Sequence, residues 1–474
     1  MKLETVIGLE IHVQLNTHSK LFSSSNNDAF GAEPNSRINE VDMGMPGVLP
    51  VLNESALKKG VLASAALGCE IQKFSKFDRK NYFYPDLPFG YQISQYDKPI
   101  ALAGKVKIPA ENNGGFDEIR ITRVHLENDA GKLTHAISGT FCDYNRAGTP
   151  LIEIVTEPDI RSAEEAQTLA KEIQKIVRCV DASDADMEKG MMRFDASISL
   201  RPQGEQKLYP RTEIKNLNSF SSLLKAIKCE QQKQKVLWEA GNAPTADRTV
   251  GWLDDKGDTM LLREKESATD YRYFPEPDLP PIEFTDEEIA EFLAQVPELP
   301  LEKYHRYVEK IGLAPADALK ISEAPTLYNF FEAACETSDN PKKIATLFLS
   351  VVLAHNDWDQ GALTPTHLSD VYALQKSGKI SSSAAKTIIE IAMKNGKTAE
   401  TLMQELNLEQ KSDSGELEKI IDEIIGEQAA VVEEIKDGKV QKLQFLVGQV
   451  MQKTKGQANP QMAQEILRKK LGIG

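Results

Sequence analysis

Apolar and polar residues alternate along Ile7-Gly8-Leu9-Glu10-Ile11-His12-Val13-Gln14-Leu15, close to the start of the chain. Because strand side chains point alternately to opposite faces, this pattern predicts a β-strand with one face in the core. Glu10, His12 and Gln14 share the other face. A carboxylate and an imidazole two residues apart lie side by side, a spacing suited to sharing one cation. For this segment alone, a solvent-facing polar strand is the alternative interpretation.

The same alternation recurs in three later segments, and each segment places polar side chains on one face. These side chains are Arg123, His125, Glu127 and Asp129 in the first segment, Glu153 and Glu157 in the second, and Arg211, Glu213 and Lys215 in the third. A solvated strand face usually mixes lysine, glutamate, threonine and serine loosely. Repeated histidine, acidic and arginine residues instead favour a concave sheet that surrounds anions and a divalent metal.

The period of the pattern changes from two to helical along the chain. Alternation continues to about Pro281, and the proline-rich run 275–281 favours an extended bridge. Helical periodicity begins near Thr285, and a short polar stretch at 410–415 precedes a last helical region. The sequence therefore predicts an α+β protein with a mainly antiparallel β domain over 1–292, a helical domain over 293–408 and a small helical tail domain over 409–474.

The composition is that of an ordinary globular protein with several domains. The 474 residues are 41% hydrophobic and carry a net charge of −15, which argues against a surface that coats nucleic acid throughout. Five cysteines, none in a CxxC arrangement, indicate a reducing compartment. The N-terminus lacks an apolar signal core, and no run reaches the ~18 apolar residues of a membrane span. We therefore expect a cytoplasmic protein.

Two classes of chemistry lack their sequence signatures. The chain contains neither GxxxxGK[ST] nor GxGxxG, so any nucleotide would be bound in another way. The run Ser23-Ser24-Ser25 has no glycine-rich amidase setting, and Cys69 has no histidine nearby in the sequence. The chain therefore offers no convincing covalent nucleophile.

Charge is distributed unevenly over the last segment. Residues 400–437 carry 12 acidic and 3 basic residues, whereas residues 438–474 carry 7 basic residues and one acidic residue. The balance therefore changes from −9 to +6. A basic end on an acidic protein is a candidate contact for a polyanion, and a solvated helix face is the alternative.

Several long motifs make the chain closely similar to a known family. They are Gly8 to His12, Phe77 to Gln95, Leu126 to Lys132, Asp143 to Gly148, Arg211 to Asn218 and Asp270 to Leu279. In these motifs the sequence resembles the B subunits of the bacterial aspartyl/glutamyl-tRNA amidotransferases, and Leu443 to Met451 resembles the tail domain of that family. The resemblance covers essentially the whole chain and implies that the domain over 1–292 is a catalytic cradle domain and that the tail domain over 409–474 binds tRNA. The archaeal relatives, the E subunits, carry a synthetase-like insertion, whereas this chain runs straight on into its helical region.

The resemblance implies a two-step reaction on mischarged Glu-tRNA(Gln) or Asp-tRNA(Asn). ATP phosphorylates the side-chain carboxylate of the aminoacyl group, and ammonia then displaces phosphate to form the amide. It also implies Mg²⁺, a partner glutaminase A subunit that supplies ammonia, and a small C subunit. Two alternatives remain open: a tRNA-binding scaffold whose chemistry resides in its partners, and a lone amidase, which the missing nucleophile disfavours.

The resemblance, together with the spacing, assigns roles to individual residues. The expected metal or water-mediated ligands are Glu10, His12, His125 and Glu127, with Asp129, Glu153 and Glu157 nearby as further catalytic candidates. Contacts to phosphate or carboxylate are expected from Arg79, Lys80, Tyr82, Arg146, Arg211 and Lys215. Contacts to tRNA are expected from Lys453, Lys455 and Lys469.

One motif of the family is altered in this chain. Many members carry a CxC…CxxC zinc knuckle after the first strand, and the corresponding positions here are Ser23, Ser25, Asn39 and Asp42. Hydroxyls, an amide and one carboxylate do not supply the thiolates of a structural zinc site. We therefore expect no structural zinc and a loop held by hydrogen bonds and packing.

Overall fold

The chain divides into two compact units, Met1–Glu302 and Lys303–Gly474. The computed structural model describes residues 2–110, 115–264, 270–410, 414–436, 438–454 and 458–473. All described strands belong to the first unit, and the second unit is built from helices. This arrangement confirms the predicted α+β class. The sequence places the first boundary at 292/293, and the further division at 408/409 stays a prediction.

A nine-stranded sheet forms the centre of the first unit. In chain order the strands of this unit are β1 (Leu3–Gln14), β2 (Glu70–Ile71), β3 (Phe74–Ser75), β4 (Asp78–Asn81), β5 (Tyr91–Ser94), β6 (Ala101–Pro109), β7 (Phe116–Asn128), β8 (Lys132–Ala136), β9 (Gly139–Asp143), β10 (Pro150–Thr156), β11 (Met192–Pro202), β12 (Thr212–Leu217), β13 (Arg248–Leu253), β14 (Asp258–Glu264), β15 (Phe274–Pro275) and β16 (Ile282–Glu283). The order in the large sheet is β14-β13-β12-β11-β1-β10-β7-β6-β2, and smaller sheets are formed by β15-β4-β5, by β16-β3 and by β8-β9. Within the described sheet β12 and β13 run parallel, and the other neighbouring strands are antiparallel.

Strand β1 lies at the centre of the sheet, between β10 and β11. Its odd-numbered residues Ile7, Leu9, Ile11 and Val13 are buried in the main hydrophobic core, as alternation predicts. The other face of β1 carries Glu10, His12 and Gln14. Because both neighbours of β1 are antiparallel, this polar face continues on to β10 and β11.

Three helices cover the apolar side of the sheet. They are α1 (Glu54–Ala66), α2 (Ala163–Cys179) and α3 (Phe220–Glu239). Each helix has an N-cap residue whose side chain accepts a hydrogen bond from a backbone N–H of the first turn. These residues are Asn53 for α1, Ser162 for α2 and Ser219 for α3. Leu169 and Ile173 of α2 and Leu223 of α3 are buried in the same core as β1. The three helices therefore lie on the face of the sheet opposite to the polar face that carries Glu10, His12 and Gln14.

The remaining helices follow β16. They are α4 (Asp286–Ala294), α5 (Pro300–Arg306), α6 (Pro315–Ile321), α7 (Pro325–Glu336), α8 (Pro341–Ser350), α9 (Pro365–Lys376), α10 (Ser382–Asn395), α11 (Ala399–Glu405), α12 (Ser414–Glu427), α13 (Ala429–Lys436), α14 (Leu443–Lys453) and α15 (Pro460–Leu471), with a π-helix at Tyr307–Ile311 and 3-10 turns at Val352–Ala354, Trp358–Gln360 and Val440–Lys442. In α7 the half-buried Glu332 accepts hydrogen bonds from Lys303, at 3.0 Å, and from the Tyr307 hydroxyl, at 2.7 Å. Helices α12 to α15 contribute to a hydrophobic core of their own.

Candidate catalytic and metal-binding site

Four side chains line up across four neighbouring strands on the polar face of the sheet. Arg193 of β11 lies opposite His12 of β1, His12 lies opposite Glu153 of β10, and Glu153 lies opposite His125 of β7. Glu127 follows two residues after His125, so alternation sends it to the same face. Directly opposed side chains in antiparallel strands have Cβ atoms about 4.5–5.5 Å apart, close enough to interact. The register therefore assembles groups that are distant in the sequence.

His12, Glu127 and Glu153 form a compact group with little exposure to solvent. His12 Nε2 lies 3.2 Å from Glu153 Oε2 and 3.6 Å from Glu127 Oε1. His125 Nε2 lies 3.6 Å from the same Glu153 oxygen and 3.7 Å from Glu127 Oε2. One ligand atom from each of His12, Glu127 and Glu153 lies within 4.8 Å of the other two. Carboxylate oxygens and an imidazole nitrogen at this spacing suit one divalent cation.

The imidazoles balance the charge of the two carboxylates. Burial raises the pKa of Glu153, but the charge of His125 and the hydrogen bond from His12 outweigh burial and hold that pKa well below its usual value. Burial lowers the pKa of His12, but the hydrogen bond and charge of Glu153 outweigh it, so that the pKa of His12 is raised. The contact between His12 and Glu153 therefore favours the charged form of each partner.

Two buried nitrogen atoms bear on whether a cation fits this group. Nδ1 of His12 and Nδ1 of His125 are buried and have no hydrogen-bond partner among the described residues. Such unpaired atoms are uncommon, since roughly nine in ten buried polar groups in proteins are paired. In both rings it is Nε2 that faces the carboxylates, so the Nδ1 atoms point away from the group, and the fit of a cation depends on the donor set itself. The two carboxylates fit a divalent cation, with the imidazoles as direct or water-mediated ligands.

A second acidic group lies on β1, β11 and β12. Glu10, Asp195 and Glu213 each place one carboxylate oxygen within 4.8 Å of the other two. Lys215 Nζ lies 2.8 Å from Asp195 and 2.7 Å from Glu213. Burial and the neighbouring carboxylates of Glu153, Asp195 and Glu213 raise the pKa of Glu10. The sequence predicts Glu10 and His12 in one metal site, but the structure places them in different groups. Asp195 is absent from the sequence prediction, although its alternation with Arg193 along β11 indicates that the two side chains share a face.

Lys80 of β4 lies close to the His12, Glu127 and Glu153 group. Burial lowers its pKa, but the charge of Glu127 outweighs burial and the pKa is raised, so Lys80 is a cation. Its Nζ lies 5.1 Å from the ring centre of Tyr271, whose ring in turn lies 6.0 Å from that of Tyr82. Burial raises the pKa of the neighbouring Tyr273 to about 12. The structure therefore places a cation and several tyrosine side chains close to this part of the polar face.

Asp129, which lies just beyond the end of β7, forms ion pairs with two arginines. Arg193 donates from Nη2 to Asp129 Oδ1 at 3.1 Å and from Nη1 to Oδ2 at 3.4 Å. Arg146 Nε lies 3.4 Å from Asp129 Oδ2, and Gln14 Nε2 donates to the same oxygen at 3.3 Å. Asp129 and Arg146 were expected at the site, whereas Arg193 was missed.

Three of the expected site residues make contacts elsewhere. Glu276 pairs with Arg79, the Thr122 hydroxyl donates to Glu157 at 2.7 Å, and the exposed Arg211 has Nε 3.9 Å from Asp247. The structure therefore does not bring these three into the His12, Glu127 and Glu153 group. The roles expected for them at metal or phosphate stay predictions.

The loop that corresponds to the zinc knuckle is organised around Asp42. Ser23 Oγ donates to Asp42 Oδ1 at 2.7 Å, and the backbone N–H of Asn39 donates to Oδ2 at 3.0 Å. The fully buried Lys20 places Nζ 3.3 Å from Asp42 Oδ2. The Ser25 N–H donates to Ser23 Oγ at 3.3 Å. Hydrogen bonds thus connect all four positions at which the family carries cysteines.

The basic residues of the tail differ in their surroundings. Lys453 Nζ lies 2.9 Å from both Glu423 and Glu427 of α12. Lys469 is exposed on α15. Lys455 lies outside the described residues. The cation of Lys453 is therefore already matched by two carboxylates of its own chain.

Comparison with known proteins agrees with this geometry. Residues 5–290 match the family model described as the GatB/GatE catalytic domain, and residues 329–471 match the model described as the GatB domain. The first match contains the His12, Glu127 and Glu153 group, the Glu10, Asp195 and Glu213 group, and Asp129 with its two arginines.

Full-length relatives are equally consistent. The B subunit of the aspartyl/glutamyl-tRNA(Asn/Gln) amidotransferase of Persephonella marina is 45% identical over 478 residues, which cover 99% of this chain and 100% of that protein. The proteins of the same name from Geobacillus kaustophilus and Listeria monocytogenes are also 45% identical, over 100% and 98% of this chain.

The chain therefore belongs to the family of aspartyl/glutamyl-tRNA(Asn/Gln) amidotransferase B subunits. This confirms the resemblance seen in the motifs. Among the described helices, none has the length and apolar character needed to cross a membrane.

Proposed function

We propose that this chain activates and amidates the side-chain carboxylate of mischarged Asp-tRNA(Asn) or Glu-tRNA(Gln), in the cytoplasm and at the expense of ATP. The observation that carries the proposal is the buried group of His12, Glu127 and Glu153, with Lys80 beside it. Phosphoryl transfer depends mainly on positioning and on cations that offset phosphate charge. An ammonium and a divalent-cation site that lie close together meet that requirement.

The reaction proceeds in two balanced steps. An oxygen of the side-chain carboxylate attacks the γ-phosphorus of ATP, ADP leaves, and an acyl phosphate forms. Ammonia then attacks the acyl carbon, phosphate leaves, and the amide nitrogen loses a proton to solvent. When bound, Mg²⁺ would neutralise charge on the transferring phosphoryl group.

The chain's own residues supply the binding groups for these steps. His12, Glu127 and Glu153 would hold the cation, with His125 next to them. Lys80 offers its ammonium to phosphate oxygens. Tyr82 and Tyr271 lie beside this position. Glu10, with Asp195 and Glu213, provides a second set of oxygen ligands, at which Lys215 supplies positive charge.

The proposal requires partners, since the chain offers no nucleophile for glutamine hydrolysis. The relatives are named as B subunits, which supports a complex of several subunits. We infer a glutaminase A subunit that delivers ammonia and a small C subunit. The exposed Lys469 of the tail is a candidate contact for tRNA phosphates.

The test uses the assembled complex with mischarged tRNA. Glu153→Gln removes one charge from the buried group and should abolish tRNA-dependent ATP cleavage, while His135→Ala, in the exposed β8-β9 hairpin, should leave it unchanged. Mn²⁺ titration followed by its electron paramagnetic resonance should show weaker binding to Glu153→Gln only. ATP cleavage and Mn²⁺ binding that survive in Glu153→Gln would instead support a tRNA-binding scaffold.

A further inference from the structure

A buried carboxylate holds two partly exposed arginines at the edge of the proposed active site. The side chain of Asp129 is 1% exposed, whereas those of Arg193 and Arg146 are 34% and 37% exposed. The carboxylate is therefore shielded from solvent, while both arginine side chains keep about a third of their surface exposed. This arrangement suits two cations that are held by a buried carboxylate and remain open to a ligand.

The position of Asp129 is fixed by several independent contacts. Its Oδ1 accepts from the backbone N–H of Ala130 at 2.9 Å, and its Oδ2 accepts from Gln14. Arg146 is held further by donating to the carbonyl oxygens of Ala130, at 3.0 Å, and Gly131, at 2.8 Å. Arg193 is held by a bidentate pair with Asp129, and Arg146 by Asp129 and two carbonyl oxygens, so both are oriented before any ligand arrives.

We propose that Arg193 and Arg146 bind the side-chain carboxylate of the aspartyl or glutamyl group, with Asp129 as their positioning residue. This inference rests on the proposed function and names the part of the polar face that recognises the group to be phosphorylated. Guanidinium groups match carboxylate geometry with paired N–H donors. Asp129 takes the Nη1/Nη2 edge of Arg193, so the substrate carboxylate would use the Nε/Nη2 edge of Arg193 and Nη1 of Arg146.

Charge and location favour a carboxylate over the ATP phosphates as the ligand. Two arginines and one aspartate leave a single positive charge, which matches a monoanion; a triphosphate needs the larger positive charge of Lys80 and a metal. Arg193 lies directly opposite His12 in the strand register. A carboxylate on Arg193 would therefore lie beside the group that we assign to phosphoryl transfer.

The alternative is that Arg193 has only a structural role, in which its ion pair with Asp129 links β11 to the end of β7. A tie between strands would affect stability but would not distinguish a charged substrate from its neutral product. The amidated product, Asn-tRNA or Gln-tRNA, is nearly the same shape and lacks the negative charge. Comparing the two tRNAs isolates the contribution of the carboxylate.

The experiment measures dissociation constants of the complex for Glu-tRNA(Gln) and Gln-tRNA(Gln) without ATP. The unsubstituted complex should prefer the mischarged tRNA by about tenfold or more, the effect of one charge-assisted contact. Arg193→Lys retains the charge but loses the fork and should bring the two constants close together. Asp129→Asn should do the same, because Arg193 then loses the carboxylate that orients it.

Arg120→Lys is the matched control, because Arg120 pairs through two nitrogens with Asp159 away from the site. It should retain the full preference. Equal preference in Arg193→Lys, Asp129→Asn and Arg120→Lys would overturn the inference, as would a rise in KM for ATP with unchanged preference. If Arg193→Lys unfolds, Asp129→Asn decides alone. An unsubstituted complex without ATP-dependent amidation would refute the proposed function instead, independently of these ratios.

Discussion

Replacing Arg79 by alanine tests whether this arginine contacts phosphate, as its motif suggests, or supports the fold. Arg79 donates from Nε and Nη2 to the two oxygens of Glu276 at 2.7 and 2.8 Å, and the Glu276 side chain is 0% exposed. The guanidinium also lies 4.4 Å from the ring centre of Tyr91. The two hydrogen bonds to Glu276 occupy the Nε and Nη2 donors of the guanidinium, which would otherwise be available to a phosphate.

The magnitude follows from the carboxylate that the substitution leaves behind. Removing one partner of a buried ion pair costs about 3–5 kcal/mol, because the other charge stays buried without a partner. For a unit as large as residues 1–302, about 2 °C per kcal/mol gives a fall in Tm of roughly 6–10 °C. Adding Glu276→Gln to Arg79→Ala removes the stranded charge and should recover part of this loss.

Thermal unfolding and steady-state kinetics together provide the measurement. Arg79→Ala should lower Tm while KM for ATP of the folded complex at 25 °C stays unchanged. Arg120→Ala serves as the control, because its pair with Asp159 has an exposed arginine and is worth about 0–1 kcal/mol. An unchanged Tm combined with a large rise in KM for ATP would refute the structural role and support the phosphate contact.

Three further changes test other parts of the chain. His12→Ala should abolish amide formation while glutaminase activity of the assembled complex persists; loss of both activities in an intact complex would contradict separate sites. Lys469→Gln should flatten the slope of log tRNA affinity against log salt by about 0.7–0.9. Lys453→Gln should flatten that slope less, because two glutamates already pair with the Lys453 ammonium. Equal slopes for the two variants would argue against this distinction. Glu332→Gln should destabilise the second unit at pH 7, because hydrogen bonds from partners such as the Tyr307 hydroxyl outweigh burial and lower the pKa of Glu332. Stability from a carboxyl with a lowered pKa is present above the unfolded value of about 4.3 and is lost as pH falls through the folded value. Urea unfolding followed by the tryptophan of that unit should therefore show wild type and variant converging in acid, and a constant difference would contradict this.

The sequence predicts which residues share a face but not which of them meet. Alternation along β1 correctly separates His12 from the core residue Ile11, because side-chain direction depends on local backbone geometry alone. The division of Glu10 and His12 between two groups depends on the register of β1 with β10 and β11. That register is set by packing of segments far apart in the chain, which a local pattern does not encode.

Partners that come from distant segments explain the other differences. Arg79 meets Glu276, which lies 197 residues away in the sequence. Arg193 escapes the prediction although it alternates with Asp195 along β11, because it lies outside the motifs that carry the resemblance. Lys453 shows the same limitation in the tail: net charge identifies a basic helix, but the facing acidic helix determines how much of that charge is available to RNA.

The central position of β1 has a consequence for synthesis on the ribosome. The first strand to emerge ends at Gln14, but its neighbours begin only at Pro150 and Met192. At about 5–20 residues per second, the nascent strand waits on the order of ten seconds or more before either neighbour exists. During that interval its apolar face and both backbone edges lack their native cover. We therefore expect nascent chains shorter than about 200 residues to depend on chaperones, and premature termination there to yield aggregating fragments.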